Sequence, residues 1–374
     1  MSGAKPDQTR YWIGFNLVRG IGPAKVRRLL DYFGELGAAW NAPPDELQRL
    51  GLDRRALDNL LAIRSKVDLG LALTRIEKSG AQVLTWESPG YPRNLLNIAQ
   101  PPPVLFVKGA LTAADEWAVA LVGTRKVTAY GREVARDLAS GLAASGVTVV
   151  SGLARGVDAV AHRAALEAGG RSIAVLGCGL DIIYPPEHRE LTDAIAKSGA
   201  VVSDYPLGTQ PDGVNFPPRN RIISGLSKGV VIVEAGADSG ALITADYALE
   251  QGRDVFAVPG NINHRASVGA NRLIQQGAKA VLSVTDILEE LNLQLVTERK
   301  EARAALPTDP TEQKVLESLA SGPVHVDELS VQLSLPIAQI SGTLAMMELK
   351  GLVRQTGGMN YIAAKEARAD YTVD

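Results

Sequence analysis

Cysteine occurs once in the 374-residue chain, at Cys178, so no internal disulfide can form and nothing points to an oxidising compartment. Its setting, VLGCGLD, suits a small residue packed at a strand end better than a nucleophile. Aromatic residues make up 5% of the chain, too few for an extended stacking surface. The four histidines, His162, His188, His264 and His325, are scattered. Asp158 and His162 lie four apart on an expected helix, a spacing that suits a surface pair better than half a metal site. HExxH, CxxC, GxSxG and the P-loop GxxxxGK[ST] are absent, and GCGLDI matches the dinucleotide fingerprint only as G-x-G before Tyr184-Pro185-Pro186. No catalytic residue, metal or cofactor is therefore expected. The N-terminal MSGAKPDQTRYW has no apolar signal core and no apolar run reaches membrane length, so a cytoplasmic protein without a membrane partner is expected.

Charge of one sign is also missing. The net charge is −2, but residues 1–82 hold 13 Lys/Arg against 9 Asp/Glu, residues 83–295 hold 18 against 21, and residues 310–374 hold 5 against 8. A nucleic-acid site must then be built from a few placed cations rather than a basic face.

What the chain does have is a repeated strand–turn–helix pattern. Valine-rich runs at 117–122, 147–150, 172–176, 200–203, 229–233 and 254–258 read as buried strands, mostly with helical patterns between them. The fold class is α/β, with a Rossmann-like, mainly parallel sheet over residues 83–295. Pro101-Pro102-Pro103 is extended and enters the sheet as a crossing or edge segment. Residues 1–82 read as helical. VRGIGPAKVRRLLDYFG fits a helix-hairpin-helix turn in which Gly20, Gly22 and Lys25 could meet a phosphate, and it fits equally a hairpin used only for packing. A second helical pair is expected at Pro44–Leu50 and Arg54–Ile63. Residues 296–310 read as a linker, 311–364 as a winged helix of three helices and a hairpin, and 365–374 as a tail. The third of those helices offers Lys350 as its only cation, so a protein-contact or regulatory role is preferred over duplex recognition.

Four loops at expected strand ends could carry chemistry: Gly123-Thr124-Arg125-Lys126, Ser151-Gly152 through Arg155 to Gly156, Asn215 to Ser224, and Glu234 to Thr244. Each alone suits a structural salt bridge. Together they place Arg125, Lys126, Arg155, Arg219 and Arg221 on the rim of one sheet, where an anionic ligand is the simpler reading. Ser239, Gly240 and Thr244 open a helix and add N–H and hydroxyl donors. Phe216 either stacks on a base or packs under its loop.

These loops, in this order, resemble the DprA/Smf family of DNA-processing proteins. The matching text is LVGTRKVTAYG, VVSGLARGVDAVAH, AVLGCGLDIIYPPEH, FPPRNRIISGLSKGVVIVEA, SGALITADYALEQGRDVFAVPG and GANRLIQQGA, over roughly 83–291. The flanks resemble the family more weakly, as a helix-hairpin-helix or SAM-like domain and a winged helix. The resemblance implies a non-enzymatic mediator that binds single-stranded DNA as a homodimer, protects it during natural transformation, and loads a RecA-type recombinase where single-strand-binding protein sits. It implies a pocket motif at Gly123-Thr124-Arg125 and a second segment at Arg219-Asn220-Arg221, with Phe216 upstream. The competing reading is a nucleotide-binding enzyme of phosphoribohydrolase or lysine-decarboxylase-like type. Its PGGxGTxxE loop corresponds here to EAGADSGALITAD, which lacks both the PGG and the glutamate.

Overall fold

A computed structural model describes residues 6–293, 310–319, 322–349 and 352–363, in two compact units divided between Leu293 and Gln294. The expected linker apart from Pro310, the expected tail, and Lys350 lie outside the described residues.

The first unit begins with helices α1 (Pro6–Leu17), α2 (Pro23–Phe33), α3 (Leu36–Asn41), α4 (Pro44–Arg49), α5 (Arg54–Lys66) and α6 (Leu69–Lys78). Proline opens α2 and α4, where a missing N–H costs no helical bond. Asp53 and Asp68 cap α5 and α6 by accepting from the Ala56 and Leu71 N–H groups. The apolar faces of these helices, with Trp12, Phe15, Leu29, Leu47 and Leu60, join Val104, Phe106, Leu176 and Val201 in one core. The helical region and the sheet thus share a hydrophobic interior.

The sheet holds nine strands: β1 (Gln82–Thr85), β2 (Val104–Gly109), β3 (Ala118–Gly123), β4 (Thr148–Ser151), β5 (Ser172–Val175), β6 (Ala200–Ser203), β7 (Gly229–Glu234), β8 (Asp254–Ala257) and β9 (Lys279–Ala280). Their order is β1-β2-β6-β5-β4-β3-β7-β8-β9. The six expected runs are the strands β3 to β8, nearly residue for residue, and β9 adds a seventh parallel strand at the β8 edge. β1 and β2 extend the β6 edge antiparallel, and the proline triplet leads into β2, one strand in from that edge. The chain runs outward from β3 to β6, then returns to place β7 on the other side of β3. That reversal is a topological switch point, where open α/β sheets leave a crevice beyond the strand ends.

Helices α8 (Ala129–Ala144), α9 (Val157–Glu167) and α10 (Arg189–Ser198) connect β3 through β6. Helices α11 (Phe216–Leu226), α12 (Gly240–Glu250) and α13 (Val268–Gln275) serve the other half, with α7 (Arg93–Leu96) beside α11 and α14 (Val284–Glu290) closing the unit. Ile222, Ile223, Leu226, Ala245 and Leu273 line a second core against Ala120, Val122, Ile173 and Ile232. Residues 216–224, expected as a loop, are helix. Pro217 and Pro218 fall in its first turn, where proline's fixed φ is compatible and its absent donor is unneeded.

In the second unit, α15 (Pro310–Leu319), α16 (Val326–Leu333) and α17 (Ile337–Leu349) enclose Val315, Leu329, Ile340, Leu344 and Met347. Strands β10 (Val324–His325), β11 (Val353–Gly357) and β12 (Asn360–Ala363) form a small antiparallel sheet in the order β10-β12-β11. This is the expected winged helix. Among the described residues no single helix is long and apolar enough to cross a membrane.

Candidate nucleic-acid interface

A cavity of about 550 Å³ opens at the switch point. The turn after β3 supplies Gly123, Thr124 and Arg125, the turn after β4 supplies Ala154, α11 supplies Phe216, Arg219, Asn220 and Ile223, and the start of α12 supplies Ser239, Gly240 and Thr244. Segments distant in sequence meet here because parallel strands bring all their following turns to one edge. Ser239 caps α12 by accepting from the Ala241 N–H, which turns the first N–H groups of that helix toward the cavity mouth. Thr244 is buried and its hydroxyl has no protein partner. Asn220 donates through Nδ2 to the Gly240 carbonyl at 3.3 Å, tying α11 to α12.

Phe216 stands between two arginines. The Arg125 guanidinium carbon lies 5.3 Å from its ring centroid and that of Arg219 lies 5.9 Å away. The two cations differ in every other respect. Arg125 is exposed, and among the described residues no carboxylate pairs with it. Arg219 is only 4% exposed and donates through Nη1 to the carbonyls of Gly152, at 2.8 Å, and Val175. Gly152 is needed for that approach, since a Cβ there would come within 2.7 Å of the Arg219 Nη2 and 2.8 Å of an Asp158 oxygen. Asp158 accepts from the Gly152 and Ala154 N–H groups at 3.1 and 3.2 Å. Burial raises its pKa, and the Arg219 charge opposes that rise. Burial likewise lowers the pKa of Arg219, against the pull of Asp158. Arg219 and Asp158 therefore brace the ends of β4 and β5 beneath the cavity floor.

Several expected rim residues are placed elsewhere. Successive residues of α11 point about 100° apart, so the triplet 219–221 fans out instead of facing one ligand. Arg221 turns away to Asp204 at 2.8 Å and the Gln100 carbonyl at 3.1 Å. Arg155 stays beside the cavity, in a small recess shared with Arg125, Tyr184 and Phe216, but pairs with Glu187 at 2.5 Å. Ser151 is buried and donates to the Leu121 carbonyl at 2.6 Å, a bond inside the sheet. Lys126 is exposed but is not among the lining residues.

Asp158 and His162 are not a surface pair. His162 is fully buried, its Nδ1 2.7 Å from the Ser172 hydroxyl, because α9 lies between the sheet and its neighbouring helices. Cys178 is buried, as its setting implied. Pocket residues outside the four expected loops include Asp158, Tyr184, Pro211 and Gly213. Tyr184 packs 5.7 Å from Phe216, and its position after the GCGLDI turn was the available signal. Among the described residues no group of three or more His, Cys, Asp or Glu is placed to hold a metal ion. Gly20, Gly22 and Lys25 do form a turn between helices, remote in sequence from the cavity, and Lys25 there is bonded to Asp53 at 2.5 Å.

The model of the family described as DNA recombination-mediator protein A matches residues 82–292, and that of the DprA winged helix domain matches 299–359. Protein Smf of Synechocystis sp. is 36% identical over 95% of this chain and 98% of its own length. The solved structure of DNA processing protein A from Streptococcus pneumoniae superposes with a TM-score of 0.68 at 35% identity, covering 75% of this chain and 97% of that one. DNA processing protein A from Helicobacter pylori, described for a unique single-stranded DNA binding mode, gives a TM-score of 0.51 at 31% identity, over 56% of this chain and 95% of that one.

Proposed function

Because the chain belongs to the DprA/Smf family of DNA recombination mediators, we propose that it binds single-stranded DNA in the cavity at the switch point, protects the strand during natural transformation and recombination, and passes it to a RecA-type recombinase. Work as a homodimer, and on strands already covered by single-strand-binding protein, belongs to the same proposal. The observation that carries it is the exposed Arg125 set over the Phe216 ring at the mouth of the cavity. A phosphate attracts the guanidinium, which grips it through two N–H groups. Arg125 then leaves the ring face, and that face takes a base. The first turn of α12 adds N–H groups for a neighbouring phosphate. None of these contacts depends on base identity, which suits a protein that handles strands of any sequence.

Two of the acids near the cavity are held by donors of the fold, which favours a binding site over a hydrolytic one. Asp158 is committed to two backbone N–H groups, and Glu234 accepts from the Thr128 N–H at 2.9 Å and hydroxyl at 2.7 Å. Neither carboxylate is left to activate water.

A salt-titrated binding assay with a labelled oligothymidylate tests this. Arg125→Ala is expected to lose about tenfold in affinity, with a shallower salt dependence. A variant that binds as the parent does would remove the cavity from the proposal.

A further inference from the structure

The N-terminal helices contain one device twice. Gly20-Ile21-Gly22 precedes α2, and Gly51-Leu52-Asp53 precedes α5. Val26 and Leu29 follow the first turn at the same spacings at which Leu57 and Leu60 follow the second, and all four are buried. The two leading glycines adopt the same left-handed conformation, φ 97° and 87°, which other residues rarely take. The apolar residue after each, Ile21 or Leu52, is buried.

The two turns are braced against each other. Lys25 Nζ bonds both Asp53 and, at 2.9 Å, the Gly20 carbonyl. Arg28 Nη1 donates to the Leu50 carbonyl at 3.0 Å, and Asn59 Nδ2 donates to the Arg19 carbonyl at 2.8 Å. Lys25 is therefore a strut, the packing role that the sequence left open beside phosphate contact. Residues 19–28 and 50–55 carry six cations, Arg19, Lys25, Arg27, Arg28, Arg54 and Arg55, against one acid, Asp53. Arg27 lies over the Trp86 ring at 4.3 Å. Arg19, Arg28, Arg54 and Arg55 are exposed, and among the described residues none of the four pairs with a carboxylate.

We propose that this paired-hairpin face is a second DNA-binding surface, specific for the phosphodiester backbones of a duplex. Two cationic turns braced against each other suit a duplex, whose phosphates are held in two rows, better than a flexible single strand. Few rings here are placed to stack single-stranded bases: Trp12 and Trp40 are buried, and the exposed Tyr32 has its hydroxyl bonded to Glu46 at 3.2 Å and its ring against Phe33. With a single-strand cavity elsewhere in the same unit, the protein is equipped to hold a junction between single and double strands.

The test uses the full chain, a blunt 20-base-pair duplex of mixed sequence, and an oligothymidylate. Combined Arg19→Ala, Arg28→Ala, Arg54→Ala and Arg55→Ala substitutions are expected to lower duplex affinity at least about tenfold and to flatten the log–log salt slope by about 3 to 4. Oligothymidylate affinity should hold, and any fall in melting temperature should trace to Arg28→Ala, which loses the bond to the Leu50 carbonyl. Lysine at the same four positions should restore most duplex binding, because charge and not local structure is required. Arg125→Ala should leave duplex binding intact, so failure of the cavity reading shows only in the oligothymidylate arm. Absence of duplex binding by the parent at about 0.1 M salt, or an unchanged affinity and slope in the fourfold variant, overturns the proposal.

Discussion

The turn after β3 and the first turns of α11 each bring one arginine to the same phenylalanine, and the fold uses them in opposite ways. Arg125 faces solvent beside the Phe216 ring, and among the described residues no carboxylate pairs with it. Arg219 is buried, with its Nη1 bonded to two carbonyls and Asp158 as its counter-charge. A cation is withheld from a ligand when burial or a carboxylate has already engaged it. Arg155 with Glu187 and Arg221 with Asp204 fall on the Arg219 side of that division.

Removing each arginine should break the comparison in a different place. Arg219→Ala leaves Asp158 buried without its compensating charge and two carbonyls without a donor. A loss of about 1 to 3 kcal/mol in unfolding free energy is expected for each buried carbonyl left without its donor. Urea titration measures it directly. Arg125→Ala, by contrast, should leave the unfolding midpoint unchanged while weakening DNA binding. If Arg219→Ala melts with the parent and fails only to bind, the two arginines have the same role and the distinction collapses.

A smaller effect comes from the layer below Arg219. Burial, reinforced by the charges of His188 and Arg219, holds the pKa of His162 down at about 3. An unfolded histidine titrates near 6.5. Between these values the unfolded chain binds a proton that the native chain refuses, so stability is complete above about pH 6.5 and falls as pH drops toward 3. The slope should approach about 1.4 kcal/mol per pH unit, or about 2 kcal/mol between pH 7 and pH 5. Urea unfolding at the two pH values reads it, and His162→Gln should flatten it. An identical pH dependence in the variant would place the titration elsewhere.

Six of the parallel strands were legible because valine-rich runs bounded by glycine have few other readings, and the turns after them were legible as one edge for the same reason. Direction within an element was not. Pro217-Pro218 suggested irregular backbone, yet two prolines fit a first helical turn, and once 216–226 is helix the arginine triplet cannot face one ligand. Burial was hidden for a similar reason. Asp158 and His162 read as a solvent-facing pair, although the alanines around them, VDAVAHRAALE, already suited a helix packed on both sides. Ser172, the partner of His162, sits on a neighbouring strand, whereas Gly152 and Ala154, which donate to Asp158, lie in the turn that leads into its own helix. The hairpin repeat was half legible, since its second copy replaces the last glycine with Asp53.

The smallest predicted effect tests whether an exposed ion pair also removes an arginine from service. Arg155 and Glu187 meet at 2.5 Å with side chains 58% and 50% exposed. Such a pair is screened by solvent and costs little to open, so it engages Arg155 far less firmly than burial engages Arg219. The cation is nonetheless neutralised where a strand would pass, and Arg155→Ala should change oligothymidylate affinity by less than about twofold at about 0.15 M salt. Glu187→Gln should strengthen binding slightly, and more at low salt, because it releases a positive charge beside the cavity. A loss with Arg155→Ala as large as that with Arg125→Ala would mean that DNA opens the pair on binding. Burial alone, and not pairing, would then decide which arginines this fold withholds from its ligand.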